Sequence, residues 1–330
     1  MGKPTNRGEQ QRGLALAEHK YYINQQPVNA NTPAMVFVSH VNSYTKPIKY
    51  RIHLYNPGST DIIVTRTNIG FAISSNNTYD ANKMVESYYV TQNTQITVPA
   101  TGSRSKWLTD AYTVNTNQTI NGMVGFKSTG KVSVTCYAFE NESSVIGTEV
   151  AYPYSKIYSD DITVYSGIGE KFSLNVNHPT LDVSKLSRTT PYRYITNSPT
   201  ITDNSSNEIT PIKLVGTANY IAELGKAEPY HNVGNWSTIY KHKMKLQNTS
   251  TSNKIKVYGY IGANPNENTH CVAYGSKIKG TPLQGKTWRW CEIELLAGEE
   301  TTVEWETILA GGTASTAHAW SICDPGSDWK

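Results

Sequence analysis

Five lysines and two tryptophans are the residues here whose types and spacing could do chemistry. Lys241, Lys243 and Lys245 alternate with Tyr240, Met244 and Leu246; after a polar turn, Asn248–Asn253, Lys254 and Lys256 alternate with Ile255 and Val257. Side chains in a strand point alternately to its two faces. Tyr240–Gly262 therefore reads as a β-hairpin, apolar on one side and basic on the other. A basic face of this kind can hold an anionic polymer or the acidic face of a neighbouring subunit. It can also be neutralised at home. Glu292, Glu294, Glu304 and Glu306 flank Ile293, Leu295 and Trp305 with the same alternation. A cross-strand Lys–Glu lattice is the preferred reading, at a few tenths of a kcal/mol per pair. Trp288 and Trp290, in Thr-Trp-Arg-Trp-Cys, share one strand face. Exposed rings stack on sugars, whereas the default for tryptophan is core packing.

The rest of the chemical inventory is thin. The sequence has no GxSxG elbow, HExxH helix, P-loop or EF-hand run. Ser166-Gly-Ile-Gly169 is too short for a phosphate-binding turn. His53 and His242 fall on strands in structural or solvated roles, Asp160-Asp161 is a solvated pair, and Asp203–Asn207 is a loop of Asx turns. Cys136, Cys271, Cys291 and Cys323 show neither CxxC nor zinc-finger spacing. No metal, no cofactor and no enzymatic activity are expected. Cys271 and Cys291 could bridge within one domain in an oxidising compartment. Cys136 and Cys323 read as buried thiols at matching positions near the end of two repeats.

The elements that must position these residues are strands. The 330 residues carry a formal charge of +4, only 17% charged side chains and 22 tyrosines. That composition favours strands and turns, is common in secreted or surface-displayed all-β proteins, and points to no nucleic-acid partner. No apolar run approaches the ~20 residues that span a bilayer, so no membrane insertion is expected. A second segment, Lys49-Tyr-Arg-Ile-His-Leu-Tyr-Asn56 followed by Ile62 and Val64, repeats the basic pattern; Asn56 matches Asn248, and Ile69-Gly70 matches Ile261-Gly262.

The reading is a polar arm over residues 1–20 and two duplicated antiparallel β-sandwiches of jelly-roll or Ig-like type, over 21–145 and 146–330. In the first, strands are expected at Ala34–His40, Ile48–Tyr55, Asp61–Ala72, Ser87–Thr91, Gln95–Val98, Gly122–Phe126 and Lys131–Ala138. In the second, Ile162–Tyr165, Lys171–Val176, Tyr192–Ile195 and Ile209–Leu214 precede the basic hairpin. Cys291–Leu296, Thr301–Ile308 and Thr316–Cys323 follow it as counterparts of Gln95–Val98, the segment around Trp107, and Lys131–Cys136. Glu142–Asp160 reads as a linker, and nothing longer than a turn reads as helix.

Ile212-Lys-Leu-Val-Gly, Asn232-Val-Gly-Asn-Trp236 leading into Tyr240, Ala297-Gly and Val303-Glu-Trp together resemble the β-sandwich region of Gram-positive surface proteins that often also carry a copper-amine-oxidase-N-terminal-like stalk domain. The resemblance implies a Gram-positive surface location and no catalytic residue; this chain lacks the stalk domain, and Met1–Tyr22 shows no signal-peptide pattern. The expected function is a structural or adhesive component of a cell surface, spore layer or fibre, with copies of itself or a cell-wall or spore-surface polymer as partner. A carbohydrate-binding module with a glycan partner is the alternative, and a phage or virion surface protein the next. The arm is expected to dock on a neighbouring molecule.

Overall fold

A computed structural model of the protein describes residues 20–42, 45–75, 77–90, 93–100, 106–139, 166–169, 173–197, 200–203, 208–210, 237–262, 271–275, 277–279, 287–308 and 316–323. The arm at 1–19, the linker, the strand Ile162–Tyr165, Asp160-Asp161 and the motifs at 212–216 and 232–236 lie outside the described residues. The chain divides into two compact units, Met1–Phe172 with Val215–Asn232 and Ser173–Leu214 with Val233–Lys330. Both are β-sandwiches.

The first unit contains β1 (Lys20–Val28), β2 (Pro33–Val41), β3 (Ile48–Tyr55), β4 (Ile62–Ser74), α1 (Asn77–Val90), β5 (Thr94–Val98), β6 (Lys106–Trp107), β7 (Tyr112–Val114), β8 (Thr119–Ser128), β9 (Val132–Phe139) and β10 (Ser166–Gly169). One sheet runs β1-β9-β3-β6, with β7 also on β3; the other runs β10-β2-β8-β4-β5. With β6 and β7 taken as one interrupted strand, successive strands alternate between the sheets up to β4, and the chain then winds back. This is a jelly roll. Its interior is mainly aliphatic: Ile48, Ile52 and Leu54 of β3 pack in one cluster with Val36, Val64, Val124 and Val134, and with Tyr50 and Phe126. Because β10 pairs antiparallel with β2, Ser166–Gly169 belongs to this unit, and the boundary lies downstream of the expected 145/146.

Of the segment read as a strand at Ser87–Thr91, Ser87–Val90 is instead the end of α1, and Thr91 lies outside the described residues. Met84, Val85 and Tyr88, at i, i+1 and i+4, form its buried stripe. The helix lies so close to β4 that a Cβ on Gly70 would collide with the Met84 carbonyl. Asn68 Nδ2 closes the helix end by donating to the Tyr88 carbonyl at 2.9 Å.

The second unit contains β11 (Ser173–Asn177), β12 (Leu181–Asp182), β13 (Tyr192–Asn197), β14 (Thr200–Asp203), β15 (Glu208–Thr210), β16 (Ile239–Gln247), β17 (Ile255–Gly262), β18 (Cys271–Tyr274), β19 (Lys277–Lys279), β20 (Thr287–Leu295), β21 (Glu300–Ile308) and β22 (Thr316–Ser321). Its sheets are β11-β16-β21-β18-β19, with β12 also on β16, and β15-β14-β13-β22-β17-β20. The run β13-β22-β17-β20 repeats β2-β8-β4-β5 of the first unit. Thr316–Cys323 thus corresponds to β8, not to the strand bearing Cys136. Among the described residues of the second unit no strand follows β22 as β9 follows β8. There β11 lies directly against β16, in parallel.

The basic stretch is not a hairpin. β16 and β17 belong to opposite sheets, as do β3 and β4. The chain crosses between sheets at Asn56 and at Asn248, which are 2% and 1% exposed. Asn248 Nδ2 donates to the carbonyls of Asn253 (2.8 Å), Leu296 (2.9 Å) and Leu295 (3.2 Å), while its Oδ1 accepts from the Ser250 amide (3.1 Å). Asn56 does the same with Thr60 (2.8 Å), Val98 (3.2 Å) and the Gly58 amide (2.9 Å). A third buried asparagine, Asn42 at the end of β2, donates to Lys46 (2.9 Å) and Val114 (2.8 Å). No helix of the described residues is long and apolar enough to cross a membrane.

Removing these side chains strands buried carbonyls, at about 1–3 kcal/mol for a group left unpaired. Asn248→Ala and Asn56→Ala are each expected to destabilise the protein by that amount in urea unfolding. Unchanged midpoints for both would show that the crossings do not depend on the amide.

Candidate functional site

The candidate binding residues all lie in the second unit, and strand alternation sorts them. On β16, Tyr240, His242, Met244 and Leu246 are buried, while Lys241, Lys243 and Lys245 are exposed. Antiparallel register with β21 sets Lys241 opposite Glu306 and Lys243 opposite Glu304. Lys243 Nζ lies 2.9 Å from Glu304, and Lys245 Nζ 2.7 Å from Glu300. On the other sheet, Lys254 Nζ meets Glu294 at 3.3 Å and Lys256 Nζ meets Glu292 at 3.0 Å. The Glu292 hydrogen bond, with the charges of Glu292 and Glu294, raises the Lys256 pKa. The five lysines therefore stand on strands of two different sheets, not on one basic face. At this exposure such pairs add little to stability and act mainly on register.

Trp288 is half-buried, whereas Trp290 is 1% exposed. A shift in register between Gly259 and Tyr260 turns both Trp290 and Cys291 of β20 inward, breaking the alternation. Trp290 packs on Tyr274, Trp320 and Trp305, with ring centroids 5.3, 5.3 and 5.4 Å away. A Cβ on Gly259 would stand 2.6 Å from the Trp290 ring, so the glycine makes room for it. Cys291 is a buried free thiol, and the Cys271 side chain, its expected partner in an oxidising compartment, lies outside the described residues. Burial pushes the Cys136 thiol up to about 12, far from a nucleophile's range.

Sequence reasoning placed His242 on a strand in a structural or solvated role and did not single out His178 or His318. His178, which follows β11, places Nε2 3.0 Å from His242 Nδ1, and His242 Nε2 lies 2.8 Å from Thr307 Oγ1. Both imidazoles stack on Trp305, at centroid distances of 5.3 and 4.9 Å, and Tyr194 stacks on His318 at 4.5 Å. His242 uses both ring nitrogens, so one donates and the other accepts. His178 Nδ1 is buried without a hydrogen-bond partner. Burial drives the His178 pKa down to about 3 and the Tyr194 phenol well up; the Trp305 indole partly offsets the latter, and Tyr192 and Cys291 add to it. A proton could pass along His178–His242–Thr307, but Thr307 is 0% exposed and His178 8%, so neither end opens to solvent. No group of three or more His, Cys, Asp or Glu among the described residues could hold a metal ion. The signal in the sequence was His242 at an inward position of β16.

Asp182 ties this region together. Burial alone would raise its pKa, but hydrogen bonds from Thr249 and Ser184, side chain and backbone, outweigh that and hold it well below the usual carboxylate range. The Thr249 hydroxyl donates to it at 2.6 Å and the Ser184 hydroxyl at 2.7 Å.

No protein-family model and no curated protein matches the chain. Among solved structures, it is similar at a TM-score of 0.15 and 7% identity to the M60 catalytic domain with the CBM51-1 and CBM51-2 domains from Clostridium perfringens ZmpB; the match covers 93% of this chain but 33% of that one. It is similar at a TM-score of 0.12 and 8% identity to the CBM22-1-CBM22-2 tandem domain from Paenibacillus barcinonensis Xyn10C, over 88% of this chain and 75% of that one. Likenesses this faint carry no argument.

Acid is expected to act through His178. Its folded pKa, about 3, lies below the ordinary 6.5, so between those values the unfolded chain binds a proton that the folded chain does not. Stability is present in full above pH 6.5 and falls as pH drops toward 3, by at most ~1.4 kcal/mol per pH unit for one proton. In urea titrations, His178→Asn should flatten that decline by up to one proton. A variant curve parallel to the parent's would exclude His178 as a source.

Proposed function

We propose that this chain is a non-enzymatic structural subunit that associates with its own copies or with an anionic surface polymer, at a cell surface, spore layer, fibre or shell. The supporting observation is where the reactive side chains are spent. Lysines that could hold an anion face glutamates on neighbouring strands; tryptophans that could stack on sugar are in the core, Trp290 above all; the histidines bond to one another beneath the sheets. A chain built this way invests its polar chemistry in register and rigidity, the properties of a building block. Jelly rolls serve in capsid and lectin domains alike, so winding alone does not choose between them.

One observation favours the glycan reading. Tyr258 and Trp288 are half-buried, and Arg289 stands over the Tyr258 ring at 4.9 Å, so aromatic surface remains on β17 and β20.

Electron microscopy and sedimentation of the purified full chain are expected to show ordered polymers or discrete oligomers. A strict monomer at all concentrations, with glycan-array binding lost in Trp288→Ala, would replace this reading with the carbohydrate-binding one.

A further inference from the structure

The backbone edge of β11 is the strongest interaction surface of the second unit. In β11 the His178 amide donates to the Lys243 carbonyl at 2.9 Å, which fixes the direction of the ladder. In a strand the N–H and C=O of one residue point to the same side, and neighbours alternate. Val176 and His178 therefore turn toward β16, and Ser173, Asn175 and Asn177 turn their backbone groups away from it. No described strand hydrogen-bonds to that side, although β15 of the other sheet comes near β11.

Edge strands invite pairing unless they are guarded. β1 has Pro27 and a register shift, β15 has Glu208 and a shift, and β20 has Arg289, Glu292, Glu294 and a shift; β19 carries two lysines, β10 two glycines, and β5 runs into Pro99. Ser173-Leu-Asn-Val-Asn177 has no proline, no charge and no shift. Its three outward residues are exposed while Val176 is fully buried, so the edge is rigid and accessible.

We propose that this edge binds the N-terminal segment of a second copy as an added strand, through main-chain hydrogen bonds to Ser173, Asn175 and Asn177. The proposal rests on the self-associating reading above and names its contact. Nineteen residues precede β1, enough to reach ~60 Å when extended. Within them Gly13-Leu-Ala-Leu-Ala-Glu18 is strand-competent, with Leu14 and Leu16 able to continue the apolar side of Val176 and Ala15 and Ala17 small enough for the outer side.

The test uses the chain lacking Gly2–Lys20 and a labelled peptide of those residues. The peptide is expected to bind, and to slow amide hydrogen exchange at Asn175 and Asn177 at least tenfold. Asn175→Pro removes one outward N–H without touching the bonds to β16 and should weaken binding at least tenfold, whereas Asn175→Ala, which keeps the N–H, should not. Should the proline variant fail to fold, exchange on the unsubstituted chain still decides. No peptide binding, or binding without protection at these amides, overturns the proposal. Peptide binding by a full chain that never assembles, or whose bound arm proves to be its own on dilution, removes the second copy and with it the contact proposed. Assembly that survives both the deletion and Asn175→Pro leaves the self-associating reading standing and sinks this edge.

Discussion

A jelly roll must carry its chain repeatedly from one sheet to the other, and at Asn42, Asn56 and Asn248 the crossing breaks the hydrogen-bond ladder at a buried position. A buried asparagine meets that constraint here. Its amide offers two donors and an acceptor; Asp would offer no donor and Ser one. At Asn248 the donors join the end of β20 to the far side of the turn, and the acceptor holds Ser250, so one side chain ties the strand before the crossing, the loop and the opposite sheet. Asn56 performs the same task in the first unit with the end of β5. The alternation of β16 and β17 has consequences only because this corner sets where each strand begins.

Once the corner is set, the side chains of the second unit have little freedom. Lys243 must face outward if Met244 faces inward, and the antiparallel register of β21 then brings Glu304 opposite. The individual ion pairs are weak, but a one-residue slip would bury the lysines and expose Trp305, so they and the core enforce one register. The two units also show how far filling can vary on one winding. The first packs Val, Ile and Leu; the second packs Trp290, Trp305, Trp320, Tyr194, Tyr240 and the histidines. Cores tolerate such exchange when volume and pattern are kept, and burial lowers the pKa of a histidine in each unit, His40 in the first and His178 in the second.

Much of this was legible in the sequence because strand alternation is local. The equivalence of Asn56 and Asn248, the Lys–Glu lattice and the all-β class follow from period-2 runs and turn residues. What failed was non-local. Two alternating runs about a short polar turn look the same whether they pair as a hairpin or part into two sheets; the partner of β16 lies more than fifty residues away in β21. The helix α1 was hidden because Asn, Thr, Ser and Asp interrupt its apolar pattern; Met84, Val85 and Tyr88 are the buried side chains among its described ones. Trp288 and Trp290 were expected to share one strand face, but a register shift on β20, invisible in the residue pattern, turned both Trp290 and Cys291 inward.

The same geometry limits how this protein can meet others. A sandwich whose inner faces are filled and whose outer charges are paired in place offers a partner little that is not already engaged. What it cannot engage by itself is the outermost backbone of each sheet, since every open sheet has two edges. Most edges here are shortened, charged, kinked or ended by proline; β11 is none of these, and its parallel pairing with β16 has moved it into the place where the first unit carries β9. Among the described residues that edge of β11 has no strand partner, and it is the part of the fold whose main-chain hydrogen bonds a partner could complete.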